Sequence, residues 1–473
     1  MTAKTLTMVQ GTGGLFEALL DRESPNGIPN LAQYYPYQIR RQFPAKLFER
    51  NSSSLEVKCN ADIEYAFDEE KFKARSSASL KAGRLRKEVP VGWPSQLKGP
   101  LVWTGSDFSE ESGFVYVLSD EDKLEIAAAL HHFKSLGLEG PAIDSSSFPL
   151  PRLERTLRRI RTDIYSGRGF ATLRGLDVDA FDPADLVTVY LGLTSYIAKV
   201  RGKQNHDGVM MINVISTSEQ FKLENAQVNM PFHTDLVCDT LSMLTLSCGE
   251  KGGGGIIASA WTIYNELAST RPDLIHVLSK PDWPFDTFGR DPPFYKRALM
   301  YFEDGKLITN FSRRCLVGQS SMGSRTPGIP GLSEAQAEAL DALHFIGRRH
   351  ELKQTMMKGD IRFLNNMGLV HCRDTYTDSD ASHRHLLRLW LHSKSHCWKL
   401  PLALDLAWKR VFEDDERPEH WHLVKTDRTG KRIAQPIWEQ VGNPLLSLGG
   451  SSSGGGPKPA PPKPQPPPAT ACD

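Results

Sequence analysis

The chain is 473 residues long, 40% hydrophobic and 24% charged, the balance of a water-soluble globular protein with room for one large domain plus extensions. A net charge of +1 gives no general attraction to nucleic acid or to anionic membrane surfaces, and no run of residues is apolar for long enough to span a bilayer. Seven scattered cysteines without a C-x-x-C pair suggest neither a zinc ribbon nor a disulfide framework, which fits a reducing, cytoplasmic location.

Residues 1–14 hold one Lys and no long apolar core, unlike a secretory signal. Gly11-Thr12-Gly13-Gly14 has no apolar strand before it and lacks the full dinucleotide-binding pattern, so it reads as a plain loop. Residues 71–87 carry seven basic residues and no acid. That pattern reads as a solvated, mobile segment; a basic arm for phosphates or a protein partner is the alternative. Residues 1–100 are expected to form an N-terminal extension, partly irregular.

Order becomes legible near 113. Phe114-Val115-Tyr116-Val117-Leu118 reads as a strand, and Ser119 with Asp122 fits a capping box. The helix after it places Ile126, Leu130 and Phe133 on one face and stops at Gly137. A second helix from about 151 buries Leu153, Leu157, Ile160 and Ile164 and turns a basic face to solvent. Residues 169–175 form a short strand between glycines. Asp182 and Pro183 then supply the N-cap and first-turn proline of a helix through Leu193. Residues 209–215 are another strand, followed by a polar loop over 216–229.

From 231 the pattern changes to short strands: 241–246, 256–261, and a hairpin of 297–301 with 307–311 around Asp304-Gly305. Ser333 and Gln336 cap a helix carrying Ala339, Leu340, Leu343 and Ile346. Lys358-Gly359-Asp360 turns into a strand at 361–364, and 386–391 is the last strong strand. Strands grouped after helices predict a mainly β fold with flanking helices, an antiparallel barrel or jelly roll over residues 101–412. Residues 413–448 are a polar C-terminal extension. Residues 449–473, rich in Gly, Ser and Pro, are expected to be flexible and then polyproline-like, with docking to an SH3-type groove as the alternative to an inert tail.

The chemistry begins at Pro231-Phe232-His233-Thr234-Asp235. On an extended backbone His233 and Asp235 project to one side, so they can grip one ion. His371 is the candidate third ligand, and two His with one carboxylate on one face of an iron leave its other positions open, as in non-haem Fe(II) oxygenases. Arg384 and Arg388 share a strand face shortly after His371. A guanidinium beside a metal site is costly unless an anion meets it, and it binds carboxylate bidentately. The order H-x-D, distant His, Arg therefore implies a metal plus a carboxylate-bearing small molecule. Arg201, Gln204 and the pair Arg313-Arg314 are further candidates to reach substrate. His383, His385, His392 and His396 read as strand-exterior polar positions, and His420-Trp421-His422 as a surface turn.

These residues resemble the taurine dioxygenase-like branch of Fe(II)/2-oxoglutarate dioxygenases, in its fungal form, over roughly 100–410. The motifs are Phe232-His233-Thr234-Asp235, the Gly loop with Ala258-Ser259 and Tyr264-Asn265-Glu266-Leu267, Lys358-Gly359-Asp360 with Asn365-Asn366, His371, and the strand from Arg384 to Leu391. Ser166-Gly167-Arg168-Gly169-Phe170 and Ser195-Tyr196-Ile197 match as well. The resemblance implies a double-stranded β-helix (jelly-roll, cupin-like) core. It implies Fe(II) on His233, Asp235 and His371, and the distal carboxylate of 2-oxoglutarate on Arg384. Arg388 takes the position that holds the acid group of anionic substrates. It also implies use of O2: the keto acid is oxidatively decarboxylated to succinate and CO2 while a C–H bond of a small molecule, expected to be one of specialised metabolism, is hydroxylated or desaturated.

One departure stands out. The family often carries an acidic and then a hydroxyl residue after its Gly-Gly, where the hydroxyl helps hold the cosubstrate; here the run is Gly252-Gly253-Gly254-Gly255. Ser259 or Thr245 would have to supply that hydroxyl. The expected partner is a small-molecule substrate, with no nucleic acid and no membrane, and a homo-oligomer stays open. Two other readings also stay open: a barrel without turnover that serves as a binding scaffold, motivated by the altered Gly loop, the basic segment and the Pro-rich tail, and an oxygenase acting on protein.

Overall fold

The computed structural model describes residues 61–436, apart from 206, 216–229, 289–291, 320–324, 375, 378–383, 415 and 427–431. The Gly11–Gly14 loop, the 216–229 loop, His383 and the Pro-rich tail lie outside the described residues.

Short 3-10 turns aside, the chain runs α1 (Glu69–Ala82), β1 (Val115–Val117), α2 (Asp120–Ser135), α3 (Glu154–Tyr165), β2 (Phe170–Arg174) and α4 (Pro183–Ser195). Next come β3 (Val200–Arg201), β4 (Met211–Ile215), β5 (Met230–His233), β6 (Thr240–Ser247), β7 (Lys251–Gly252) and β8 (Gly255–Ser259). Helices α5 (Ala260–Thr270) and α6 (Pro272–Leu278) lead to β9 (Trp283–Asp286), β10 (Phe294–Arg297), β11 (Met300–Glu303), β12 (Lys306–Thr309) and α7 (Arg313–Val317). The remainder is α8 (Glu334–Arg349), β13 (Leu352–Gln354), β14 (Ile361–Asn365), β15 (Leu369–Arg373), β16 (Tyr376–Thr377), β17 (His385–His392), α9 (Leu402–Phe412), β18 (His422–Thr426) and β19 (Arg432–Pro436).

Local signals set most of these boundaries. Ser119 and Ser333 each accept from the backbone N–H three residues on, and Asp122 and Gln336 return the bond. Asp182 caps α4 through Ala184 N and Asp185 N, with Pro183 in the first turn. The hairpin is β11 with β12, not 297–301 with 307–311: Arg297 instead ends β10, and Asp304 and Gly305 take the positive-φ turn between Glu303 and Lys306. The strand expected at 256–261 stops at Ser259, because that serine caps α5 through Trp261 N and Thr262 N. Trp421 is buried, and Met210 N donates to His420 O, so 420–422 leads into β18 rather than lying as a surface turn.

The 71–87 segment overturns its expectation. Most of it is α1, capped at Asp68 and ended by left-handed Gly83. Its acids come from elsewhere in the chain: Arg75 pairs with Glu334 (2.9 Å) and Asp341 (3.1 Å) of α8, and Ser79 Oγ donates to Glu338 (2.6 Å). A composition count along one segment cannot see counter-charges that a second helix provides.

Seven strands form one sheet, ordered β1-β2-β14-β6-β17-β3, with β4 also on β17. Four form the facing sheet, β13-β8-β15-β5. The pair is the jelly roll of the double-stranded β-helix. On the larger sheet Ile361, Phe363, Leu244, Leu387, Leu389 and Leu391 point outward into α2, α3 and α4, where Leu157, Ile160 and Ile164 are fully buried. The alternate residues point inward, as the period of two requires. Cross-strand register puts Thr172, Arg362, Met243 and Arg388 in one inward row. Opposite it, Leu352, Ile257, His371 and His233 form a row on the smaller sheet. No helix among the described residues is long and apolar enough to cross a membrane.

Candidate metal centre

His233 ends β5 and His371 lies in the middle of β15, and the two are register partners, so their rings meet at 4.3 Å between centroids. Asp235 follows on the loop after β5. One ligand atom from each of the three residues lies within 4.8 Å of the others, and His371 Nε2 is 3.9 Å from Asp235 Oδ1. The donor set fits a divalent transition metal held from one side.

Protonation favours the same use. Burial pushes the His371 imidazolium down to about 3, with the neighbouring His233 adding to it. Burial likewise lowers His233, against the pull of Asp235. Both rings are therefore neutral at physiological pH, the ligating form. His233 Nδ1 lies 3.0 Å from Pro231 O, so it carries the proton and leaves the Nε2 lone pair for a metal. Burial alone would raise the Asp235 carboxyl, but Arg388, His371 and His233 together hold it below the usual value.

Asn366, on the turn from β14 to β15, fixes the loop that carries Asp235. Its Oδ1 accepts from Asp235 N (2.9 Å), and its Nδ2 donates to Asp235 O (2.7 Å) and Cys238 O (2.9 Å). Asn365 holds the turn itself, accepting from Met367 N and Gly368 N at 3.0 Å each. Thus one Asn-Asn turn positions His371 and Asp235 together. Trp390 Nε1 donates to Asp235 Oδ2 at 2.6 Å, an orienting contact that the sequence reading missed; its only signal was a Trp on the inward side of the strand bearing Arg388.

The other expected site residues divide. Arg388 Nη1 is 3.2 Å from Asp235 Oδ2, and its Nε donates to Gln204 Oε1 at 2.9 Å. Gln204 in turn donates to Arg388 O and Met210 O, so it braces Arg388. Arg384 stands just before β17, its guanidinium 5.4 Å from the Tyr376 ring and its side chain against Gly253. Thr245 points inward and its hydroxyl has no hydrogen-bond partner among the described residues.

Three expectations are corrected. Ser259 is buried and bonded to Leu101 O, Trp261 N and Thr262 N, which uses its hydroxyl in capping α5 and keeps it from a cosubstrate. Arg201 pairs in register with outward-facing Leu391 and donates to Ile143 O at 2.7 Å, so it staples the helical layer instead of reaching substrate. Arg313 is buried on Asp341 at 2.7 Å and does not line the mouth of the barrel.

Of the histidines near β17, His385 lies 3.0 Å from Asn213 Oδ1, on β4. His392, Asp239 and Cys397 form a second cluster of potential ligands. There the carboxylate is already engaged by Tyr165 Oη (3.1 Å), Ser393 N (3.0 Å) and His392 Nδ1 (3.1 Å), and the arrangement ties β6 to the end of β17. A surface groove of about 1010 Å³ among α1, α6 and α8 shares no residue with the triad.

Against this geometry stand the comparisons with known proteins. The sequence profile of the taurine catabolism dioxygenase TauD, TfdA family matches residues 133–390, which include the triad, Arg384 and Arg388. The chain belongs to this family. It is a 2-oxoglutarate-dependent non-haem iron dioxygenase. It is similar to the taurine hydroxylase-like protein SAT17 of Stachybotrys chartarum, at 33% identity over 71% of this chain and 90% of that one. It is also similar to FR-33289 synthase of Streptomyces rubellomurinus, at 26% identity over 62% of this chain and 89% of that one. Among solved structures, asparagine oxygenase in complex with Fe(II), (2S,3S)-3-hydroxyasparagine and succinate matches with a TM-score of 0.46 and 16% identity, over 59% of this chain and 93% of that one, a likeness too slight to build on.

Proposed function

We propose that His233, Asp235 and His371 hold Fe(II), that Arg384 receives the distal carboxylate of 2-oxoglutarate, and that the dioxygenase acts on an anionic small molecule of specialised metabolism. The observation that carries the reading is the convergence of the three side chains within 4.8 Å inside the jelly roll, with both imidazoles neutral. Iron with O2 and the keto acid supplies the oxidising power for a C–H bond. The rest is positioning by this chain. His233 is held in one tautomer by Pro231 O, and Asp235 is aimed by Trp390, Arg388 and the Asn366 brace. Arg388, which pairs with Asp235 at 3.2 Å, would be free to receive an acidic group of the substrate once that carboxylate served a divalent ion.

The test is anaerobic titration of the protein with Fe(II) and 2-oxoglutarate, followed by mass spectrometry of a metabolite extract after O2 is admitted. A 2-oxoglutarate-dependent visible band, succinate release and an oxygenated or desaturated product are expected. Absence of Fe(II) binding, or succinate release unchanged by His233→Ala, would refute the reading. Against the scaffold alternative stand a complete set of candidate donors and a basic segment that is a helix paired with acids of α8.

A further inference from the structure

The middle of β14 reads Ile361-Arg362-Phe363-Leu364, an arginine inside an apolar strand. Arg362 faces into the barrel and is 2% exposed. Its Nε and Nη2 have no hydrogen-bond partner among the described residues. Burial lowers its pKa to about 10, so it remains a cation at neutral pH. A buried guanidinium with open donors calls for an anion.

Among the described residues, the protein's own groups do not provide one. Asp360, two residues away on the same face, accepts from Arg174 Nε and Nη2 at 2.9 Å each and from Met357 N at 2.9 Å. Around Arg362 lie further open groups. Gln354 Nε2 and Thr245 Oγ1 are buried without partners among the described residues, and Gln354 Oε1 is bonded to Thr172, the direct cross-strand neighbour of Arg362.

The four-glycine run explains how the cation fits. A Cβ at Gly255 would lie 1.7 Å from Arg362 Nη1, so a glycine is required for the guanidinium to rest there. A Cβ at Gly253 would come within 3.1 Å of Arg384. The two arginines thus share one glycine platform. Gly255 is the register partner of Gln354 and Arg373, one inward row along from His371. Two residues along a strand are about 7 Å. A five-carbon keto acid whose carbons are joined by bonds of about 1.5 Å spans such a gap from metal to far carboxylate.

We propose that Arg362, seated on Gly255 with Gln354 and Thr245 beside it, binds the distal carboxylate of 2-oxoglutarate together with Arg384, and so replaces the hydroxyl that the glycine run lacks. The proposal rests on the iron and 2-oxoglutarate reading above. Its specific consequence is that Arg362 discriminates a keto diacid from a keto monoacid, while chelation at the metal end is left alone.

The experiment is anaerobic titration of the Fe(II)-loaded full chain with 2-oxoglutarate and, separately, with pyruvate, which lacks the distal carboxylate, read by the visible charge-transfer band. Wild type, Arg362→Gln and Arg362→Lys are compared, each checked by thermal melting. R362Q is expected to weaken 2-oxoglutarate at least tenfold and pyruvate less than twofold, with R362K recovering part of the difference. Wild-type affinity for 2-oxoglutarate in R362Q overturns the assignment. So does an equal loss of both acids, which would mark Arg362 as a structural support of the metal end. No band from the wild type with either acid would defeat the underlying reading and this proposal with it. Undiminished pyruvate binding beside a lost keto-diacid preference supports the proposal even if R362Q melts several degrees lower.

Discussion

The two faces of the seven-stranded sheet belong to the same strands yet follow different rules. Outward, Ile361, Phe363, Leu387, Leu389 and Leu391 are at most 1% exposed and pack against helices. Inward, the same strands present Thr172, Arg362, Arg388 and Trp390, a set no stability argument would choose. Burying such groups costs free energy unless each finds a partner. The alternation of strand side chains therefore keeps the residues that hold the fold apart from the residues proposed to serve the site, one position away in sequence.

Substitutions on each face give a graded way to break this contrast. His371→Ala removes one of the three proposed metal donors and should reduce 2-oxoglutarate-dependent succinate release to background, while the melting temperature of the metal-free protein shifts little. Succinate release that persists would remove the inner face from the chemistry. Phe363→Ala acts on the outer face alone. It should cost about 3–5 kcal/mol in a denaturant titration and leave Fe(II) affinity intact in the folded fraction. Trp390→Phe deletes the 2.6 Å bond to Asp235 and keeps the ring. Orienting contacts of this kind typically change metal affinity by about 10–100-fold. Isothermal titration with Fe(II) or a surrogate metal under anaerobic conditions would show the loss, and an unchanged affinity would reduce Trp390 to packing.

His344 on α8 gives a pH-dependent probe away from both faces. It is buried, accepts from Phe232 N at 3.3 Å, and has its pKa pushed down to about 3 by burial, from an ordinary value of 6.5. Below that ordinary value the unfolded chain takes up a proton that the folded chain refuses. Stability is therefore lost as pH falls from about 6.5 toward 3, by about 1.4 kcal/mol per unit for this group. His344→Gln should flatten the decline between pH 6.5 and 5 relative to wild type; parallel curves would show that the ring is not the cause. The smallest expected effect is Ser259→Ala, a lost helix cap worth about 1 kcal/mol. Cosubstrate affinity should not move, and a change in it would return Ser259 to the site.

Much of this was legible in the residues. Capping signals placed α2, α4 and α8 because they depend on atoms within four residues of one another. H-x-D with a distant His was legible because metal ligation restricts residue type and the strand period restricts direction. Misreadings came where a partner distant in the chain decided the outcome. The basic count over 71–87 concealed Glu334, Glu338 and Asp341 on α8. Ser259 and Arg201 had the right chemistry, but one is a cap and the other faces the helices. Arg362 drew no notice, since a lone arginine in a strand reads as an edge or a surface residue until its neighbours are known.

The sequence by itself determined the alternation of most strands, the capped starts of α2, α4 and α8, the candidate donor set and the family. These follow from local backbone geometry and from which side chains can ligate a metal. The tertiary structure alone decided which candidates meet. Pairing β5 with β15 put His233 opposite His371, the Asn365-Asn366 turn fixed Asp235 beside them, and the closing of two sheets laid Arg362 against a glycine more than a hundred residues earlier. Register between distant strands is set by the packing of the whole core, so no window of the sequence contains it.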